Sequence, residues 1–186
     1  MIEDDPDIDL LARIGQGDQR AASQMVASKL PRLVALATRM LNDSSEAQDV
    51  AQETFVRIWK QAGHWQPDGA RFDTWVHRVA MNLCYDRLRR RPNWTEEDIP
   101  EQQDPHGHAD ARLIKIQQDK QVLDALAALP PRQREALILQ YYQEFSNAEA
   151  AAMMDISVDA LESLLCRARR SLRNVLIEQG YTKESP

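Results

Sequence analysis

Residues 146–173 read SNAEAAAMMDISVDALESLLCRARRSLR, and this stretch predicts two helices that meet across a short turn. Ser146, followed three positions later by Glu149, fits a capping box that opens the first helix. Residues 155–157 are typical of a tight turn, and Ser157 can cap the second helix. Two helices joined by such a turn form a helix-turn-helix module. An ordinary helical hairpin with a basic face is the alternative.

The second helix of a helix-turn-helix module carries most contacts to DNA. Its first turns are expected near base edges, and these positions hold Ser157, Asp159, Ala160, Glu162 and Ser163. Basic side chains further along are expected within reach of phosphates, and they are Arg167, Arg169 and Arg170.

The rest of the chain has helical periodicity and no strand-like alternation, so the predicted fold class is all-α. Pro31 interrupts the helical pattern of residues 21–41, which predicts three short helices before residue 42. Ser45, with Gln48 three positions later, predicts a capping box for the next helix.

Four helices have predicted apolar faces. The helix after Ser45 should bury Ala47, Val50, Ala51, Phe55 and Ile58, and should expose Asp49, Gln52, Glu53, Arg57 and Lys60. A helix that ends at Pro92 should bury Trp75, Val76, Val79, Leu83 and Leu88. Residues 113–129 form an amphipathic helix by pattern, and a helix over 132–143 should bury Ala136, Leu137, Leu139 and Tyr141.

Charge and proline content divide the chain in two. The net charge is −6 over 186 residues, and residues 93–110 contain six acidic residues and no lysine or arginine. With Pro100 and Pro105 and few large apolar side chains, residues 93–112 are predicted to be a flexible acidic linker. The linker separates a domain at 1–92 from a domain at 113–186, and basic residues concentrate in 57–91 and 162–173.

Several classes of protein are excluded or disfavoured by the sequence. No apolar run is long enough to span a bilayer and the N-terminus is acidic, so a cytoplasmic protein is expected. Cys84 and Cys166 fit neither a disulfide framework nor a zinc site. His106 and His108 lack a rigid third ligand, so neither a metal nor another cofactor is expected. No motif of an enzyme active site is present, so catalysis is not expected.

Several short motifs resemble a family. The sequence LPPRQRE at 129–135, followed by the helix-turn-helix, resembles region 4 of bacterial sigma factors of the sigma-70 family. The sequence DVAQETF at 49–55 is similar to region 2.2. Residues 72–83 and 86–90 are similar to regions 2.3 and 2.4. The two motif blocks occur in order across a short linker, as in the small extracytoplasmic-function (ECF) group.

The resemblance implies a transcription initiation factor that binds core RNA polymerase and directs it to promoter DNA. The polymerase would bind the first domain through Asp49, Gln52, Glu53 and Arg57, although a solvated surface is the alternative. The same domain would recognise and melt the −10 element through Trp65, Arg71, Phe72, Arg78, Asn82, Arg87, Arg89 and Arg90. Aromatic rings there can stack on unpaired bases. The alternative is that Phe72 and Trp75 are core residues, and core is favoured for Trp75.

The second domain would recognise the −35 element through Ser157, Asp159, Glu162, Ser163, Arg167, Arg169 and Arg170. The chain departs from the commoner family pattern at Asp159, Glu162 and Leu164, where glycine, lysine and arginine are usual. Glu162 can accept a hydrogen bond from a cytosine amino group, or it can be a surface charge that never touches DNA.

Three further expectations concern partners and class. The linker would thread toward the RNA exit path or serve only as a spacer. The family resemblance also implies an anti-sigma partner that covers the polymerase-binding faces. The rival class is a stand-alone helix-turn-helix regulator, which would need a ligand, phosphoacceptor or dimer domain in place of the basic helix of the first half.

Overall fold

The structure is a computed structural model in which residues 5–66, 71–92 and 120–178 are described. Every regular element in these ranges is helical, which confirms the all-α fold class. In chain order the elements are α1 (Pro6–Gly15), α2 (Gln19–Leu41), α3 (Ser44–Gln61), α4 (Phe72–Arg89), α5 (Lys120–Ala127), α6 (Pro131–Leu137), a π-helical segment (Ile138–Tyr142), α7 (Asn147–Met154) and α8 (Val158–Glu178). The chain divides into two compact units, Met1–Arg91 and Pro92–Pro186. The linker predicted at 93–112 lies outside the described residues.

The first unit has its core where α2, α3 and α4 pack together. Large side chains from all three helices are fully buried there, among them Leu33, Leu36, Met40, Ile58, Phe72 and Leu83. The apolar face predicted for α3 is confirmed by the burial of Ala47, Val50, Ala51, Phe55 and Ile58. The opposite side of α3 is polar and exposed, so this helix has one face free for a partner.

The prediction of three short helices before residue 42 is wrong, because α2 continues through Pro31. A proline inside a helix removes one hydrogen bond and costs roughly 3 kcal/mol. Here Met25, Leu33 and Leu36, on both sides of the proline, are completely buried. Pro31 itself faces solvent, where water can hydrate the freed carbonyl. Core packing therefore outweighs the local preference.

The predicted capping box at Ser45 is also wrong. The N-cap of α3 is Asp43, whose Oδ1 accepts hydrogen bonds from the amides of Ser45 and Glu46, both at 2.9 Å. Asn42, in the left-handed region with φ of 53°, ends α2 immediately before it. Aspartate and serine are comparable caps, so the turn geometry decides between them.

The second unit contains the predicted helix-turn-helix, formed by α7 and α8. Ser146 Oγ accepts from the amide of Glu149 at 3.3 Å, and Glu149 Oε2 accepts from the amide of Ser146 at 2.9 Å, which confirms the capping box. Asp155 turns the chain with φ of 54°. Ser157 Oγ then accepts from the amide of Ala160 at 3.1 Å, which caps α8 as predicted.

The helix predicted over 132–143 changes type part-way. After α6, the amide of Gln143 bonds to the carbonyl of Ile138 at 3.0 Å, five positions back, as in a π-helix. The wider turn changes the direction of the following side chains. Tyr141, expected in the core, is only half-buried. Of the helix predicted over 113–129, α5 is the part that the structure describes.

Candidate functional site

The α3 face, defined as Asp49, Gln52, Glu53, Val56 and Arg57, lies on the surface of the first unit, where Glu53 is half-buried and the other four residues are exposed. Val56 is 47% exposed, although it is a large apolar residue. Polar side chains therefore surround one exposed apolar side chain. Protein interfaces combine an apolar centre with a polar rim in the same way.

Glu53 connects the α3 face to α4. Its Oε1 lies 3.0 Å from Arg57 Nη2 on the same helix, and its Oε2 lies 3.8 Å from Arg87 Nη1 on α4. The Arg87 side chain is only 17% exposed. Arg87, predicted to bind DNA, therefore also helps to join the two helices.

The α4 basic face, defined as Arg78, Asn82 and Arg89, is exposed along one side of the helix. The spacing of four and seven residues places these three side chains above one another. Arg71, just before α4, and Arg90, just after it, are exposed as well. Five of the eight residues predicted for the −10 element therefore lie at the surface on or beside one helix.

Three aromatic rings lie in a row between the end of α3 and the start of α4. The ring of Phe72 packs edge-on against Trp65 with centroids 5.3 Å apart, and is stacked with Trp75 at 5.5 Å. Phe72 is completely buried, so the core alternative describes it and its ring has no free face for a base. Trp75, for which core was favoured, is partly exposed, as is Trp65.

A cluster of charged side chains ties α1 and α2 to α4, and sequence reasoning missed it. Lys29 Nζ lies 2.6 Å from Asp7 Oδ2 and 2.8 Å from Asp73 Oδ1. His77, which is buried, has Nδ1 2.7 Å from the backbone oxygen of Asp73. These residues are distant in sequence, so no local pattern could have brought them together.

The cluster shifts the pKa values of two members in opposite directions. Burial opposes ionisation of Asp73, yet the positive charges of His77, Lys29 and Arg32 outweigh it and lower the pKa of this carboxyl group. Burial likewise disfavours the Lys29 ammonium, but hydrogen bonds to Asp7 and Asp73 raise its pKa overall. Both groups are therefore charged at neutral pH.

The N-terminal half of α8 exposes the residues predicted to read bases. Ser157, Asp159, Glu162 and Ser163 are all exposed. Leu164, one of the departures from the family pattern, is instead buried in the core of the second unit. Leu164 therefore belongs to the core and presents no side chain to DNA.

The arginines of α8 differ in their surroundings. Arg169 Nη1 donates a hydrogen bond to the Tyr141 hydroxyl at 2.8 Å, and its buried Nε has no hydrogen-bond partner in the part of the chain that the structure describes. Part of the Arg169 guanidinium therefore faces the unit's interior. Arg167, Arg169 and Arg170 are all partly exposed.

Two arginines of the LPPRQRE motif hold the second unit together, a role that sequence reasoning did not assign. Arg134 is buried, and its Nη2 donates to the carbonyl oxygens of Ala127 at 2.6 Å and Leu129 at 3.0 Å. Arg132 Nη2 donates to the carbonyl of Met154, at the end of α7, at 3.2 Å. Both satisfy carbonyls that helix ends leave unpaired.

Within the described ranges, no group of three or more His, Cys, Asp or Glu residues is arranged to hold a metal ion. In the same residues no helix has the length and apolar character needed to cross a membrane. His106 and His108 lie outside these ranges.

The sequence matches two families of known proteins. One is Sigma-70 region 2, over residues 25–93, and the other is Sigma-70, region 4, over residues 119–172. The RNA polymerase sigma-H factor of Pseudomonas aeruginosa is 29% identical over 187 residues, covering 95% of this chain and 96% of that protein. The ECF RNA polymerase sigma factor SigM of Mycobacterium tuberculosis is 32% identical over 178 residues, covering 94% and 85%.

Solved structures show the same architecture. The structure of CnrH in complex with the cytosolic domain of CnrY matches with a TM-score of 0.69 and 29% identity, covering 92% of this chain and 97% of that one. The sigma factor RpoE in complex with the anti-sigma factor NepR from Bartonella quintana matches in fold, with a TM-score of 0.61 and 24% identity over 83% and 95% of the chains.

This chain belongs to the sigma-70 family of RNA polymerase sigma factors, in its extracytoplasmic-function group. It is a transcription initiation factor and not an enzyme, and it acts by binding core RNA polymerase and directing it to promoters. The match to region 2 in the first half excludes the alternative of a stand-alone helix-turn-helix regulator.

Proposed function

We propose that the α3 face is the surface through which this sigma factor binds core RNA polymerase. The observation that carries the proposal is the exposure of Val56 at the centre of a polar face whose sequence resembles region 2.2. Glu53 and Arg57 form an ion pair with 3.0 Å between Oε1 and Nη2, which orients two of the polar groups. Removal of the apolar centre from water would provide part of the binding energy.

Gel filtration with core RNA polymerase tests this assignment. We expect the wild-type chain to co-elute with core polymerase, and the double variant Asp49→Arg with Gln52→Ala to elute alone. The control is Asp9→Arg, which reverses a charge on α1 where the side chain is 76% exposed. Retained co-elution of the double variant would place the polymerase contact on another surface.

We also propose how the two domains divide promoter recognition. Residues 1–92 would recognise and melt the −10 element through Trp65, Arg71, Arg78, Asn82, Arg87, Arg89 and Arg90. Residues 113–186 would recognise the −35 element through Ser157, Asp159, Glu162, Ser163, Arg167 and Arg170. Burial supports a structural role for Phe72, and the bond to Tyr141 supports one for Arg169. Transcription from promoters changed in one element at a time tests this division. Substitutions in the first domain should alter the response to changes in the −10 element only, and substitutions in the second domain the response to changes in the −35 element only.

We propose, further, that an anti-sigma protein covers these faces when the factor is inactive. The support is the family resemblance, together with the relative CnrH, solved in complex with the cytosolic domain of CnrY. A cytoplasmic location belongs to the same proposal, because that is where core polymerase and promoter DNA are found. In the test, a tagged form of the chain is used to isolate the partner from unstressed cells, and core polymerase is then added to the complex. We expect the polymerase and the partner to exclude each other. Simultaneous binding of both would contradict the proposal.

A further inference from the structure

A chain of hydrogen bonds reaches the surface of α8 at Glu162. Gln140 Nε2, in the π-helical segment, donates to Asn147 Oδ1 at 2.6 Å. Asn147 Nδ2, at the start of α7, donates to Glu162 Oε1 at 3.3 Å. The exposed carboxylate is therefore held by an amide from the other helix of the helix-turn-helix.

The orientation of the Asn147 amide follows from its two neighbours. If this amide were reversed, its Oδ1 would face the Glu162 carboxylate, and two acceptors would meet without a proton between them. Asn147 contacts Oε1 alone, so Oε2 of the exposed Glu162 is left as a second acceptor. The network therefore favours one orientation of a hydrogen-bond acceptor at the surface of α8.

Helix stabilisation does not account for the position of Glu162. An acidic side chain stabilises a helix when it lies in the first turn, where the helix dipole favours negative charge. Asp159 occupies that turn, but Glu162 lies beyond it. On a helix that approaches DNA, a carboxylate is repelled by phosphates unless a hydrogen-bond donor faces it.

We infer that Glu162 determines base specificity in the −35 element by accepting a hydrogen bond from a cytosine N4 amino group in the major groove, with Asn147 as its positioning residue. The inference rests on the proposed role of α8 in −35 recognition. Cytosine and adenine both present an amino donor in the major groove, and adenine adds the N7 acceptor beside it. That acceptor would face the carboxylate, whereas cytosine presents no second acceptor on its own edge. Cytosine is therefore the better partner.

Transcription from genomic DNA by the reconstituted holoenzyme tests this role. Fragmented DNA from the source organism is transcribed with core polymerase and either the wild-type chain or a variant, and the 5′ ends of the transcripts are sequenced. Alignment of the upstream sequences then yields the −35 and −10 preferences of each protein. For the wild type we expect cytosine, on one strand, at one position of the −35 element.

Glu162→Gln should change the preference at that single position. A glutamine amide pairs with adenine N6 and N7, so adenine should gain over cytosine by about fivefold or more. The −10 preference should not change. Asn147→Ala should weaken the cytosine preference at that position alone, without creating one for adenine, whereas a purely structural role would affect several −35 positions together. The control is Glu178→Gln, the same change near the end of α8, where the side chain is also exposed.

The outcomes separate the inference from the proposed function. An unchanged −35 preference in Glu162→Gln, with normal transcript yield, would overturn the inference and leave the assignment of α8 intact. A wild-type holoenzyme whose transcripts share no −35 preference would overturn both. A shift confined to one −35 position supports both.

Discussion

The side chain of Asp5 accepts a hydrogen bond from the backbone amide of Phe72, 67 positions further along the chain, at 2.9 Å. Its other oxygen accepts from the amide of Asp7 at 3.1 Å, so that one carboxylate caps the N-termini of both α1 and α4. α4 has no cap from its own N-cap residue, Arg71. The start of α4, beside the proposed −10 surface, therefore depends on α1.

Asp5→Ala should lower the free energy of unfolding of the first unit by about 2 kcal/mol, because it removes the cap of two helices. Urea unfolding followed by tryptophan fluorescence measures this, since Trp59, Trp65 and Trp75 all lie in the first unit. Asp5→Asn should recover only part of the loss, because its single amide oxygen can replace one of the two acceptor oxygens while its Nδ2 faces the other backbone amide. A change of less than about 0.5 kcal/mol, the range of an ordinary surface substitution, would show that the cap contributes little.

Acid sensitivity is the second prediction, and it concerns Asp73. The pKa of this carboxyl group is lowered in the fold relative to its ordinary value of 3.8. A lowered pKa stabilises the fold above the unfolded value, and this stability is lost as the pH falls through the folded value. Asp73→Asn should therefore destabilise the first unit at pH 7, and should lose less stability than the wild type when the pH is taken below about 4.

The pH dependence of the urea midpoint checks this prediction, with Asp9→Asn as a control at an exposed carboxylate. The contribution of Lys29 to stability has the opposite pH dependence, because its pKa is raised above 10.5. Its contribution is present at neutral pH and is lost only as the pH rises through the raised value. If the urea midpoints of Asp73→Asn and of the wild type fell in parallel as the pH is lowered, the charged cluster would not be the cause of the acid sensitivity.

The sequence predicted those features that depend on local spacing. The helix-turn-helix with the capping box at Ser146, and the two faces of α3, follow from patterns within a few residues. The continuous α2 did not, because the burial of Met25 and Leu33 that outweighs Pro31 is decided by other helices. For the same reason the contact of Lys29 with Asp73, which joins α2 to α4, had no signal in the sequence.

The residues of the predicted DNA surface were identified from their residue type alone. The structure shows which of them are exposed and which are partly or fully buried. An arginine can bind a phosphate or donate to a buried carbonyl, and the sequence alone does not distinguish these two roles. Arg91, next to the predicted DNA-binding residue Arg90, has Nη2 2.6 Å from Glu46 Oε2 and donates from Nη1 to the carbonyl of Leu41 at 3.0 Å. Arg134 likewise serves the fold.

The third prediction separates the neighbouring aromatic residues Phe72 and Trp65. Phe72→Ala should reduce the stability of the first unit by about 3–5 kcal/mol, as expected for a large side chain removed from a core. Trp65→Ala should cost less, about 0.5–1.5 kcal/mol for the lost ring contact with Phe72. It should lower the fraction of open promoter complex by about fivefold or more if its partly exposed ring stacks on an unpaired base.

Urea unfolding measures the first effect, and the fluorescence of 2-aminopurine in the −10 element measures the second. Trp65→Phe is the matched variant, because it keeps a ring that can stack. Equal opening by Trp65→Ala and the wild type would show that Trp65 does not contact the melted strand.

The fourth prediction distinguishes phosphate contacts from base contacts on the α4 basic face. A phosphate contact releases counterions, so its removal lowers the salt dependence of binding by about one unit in the slope of log K against log salt. Arg89, whose side chain is 54% exposed, should behave in this way.

Asn82 carries no charge, so Asn82→Ala should weaken binding to some −10 sequences and leave the slope unchanged. Holoenzyme binding to a labelled promoter over a range of KCl concentrations measures both, with Arg20→Ala on α2 as a control in the same unit. If Arg89→Ala leaves the slope at its wild-type value, this arginine does not contact a phosphate.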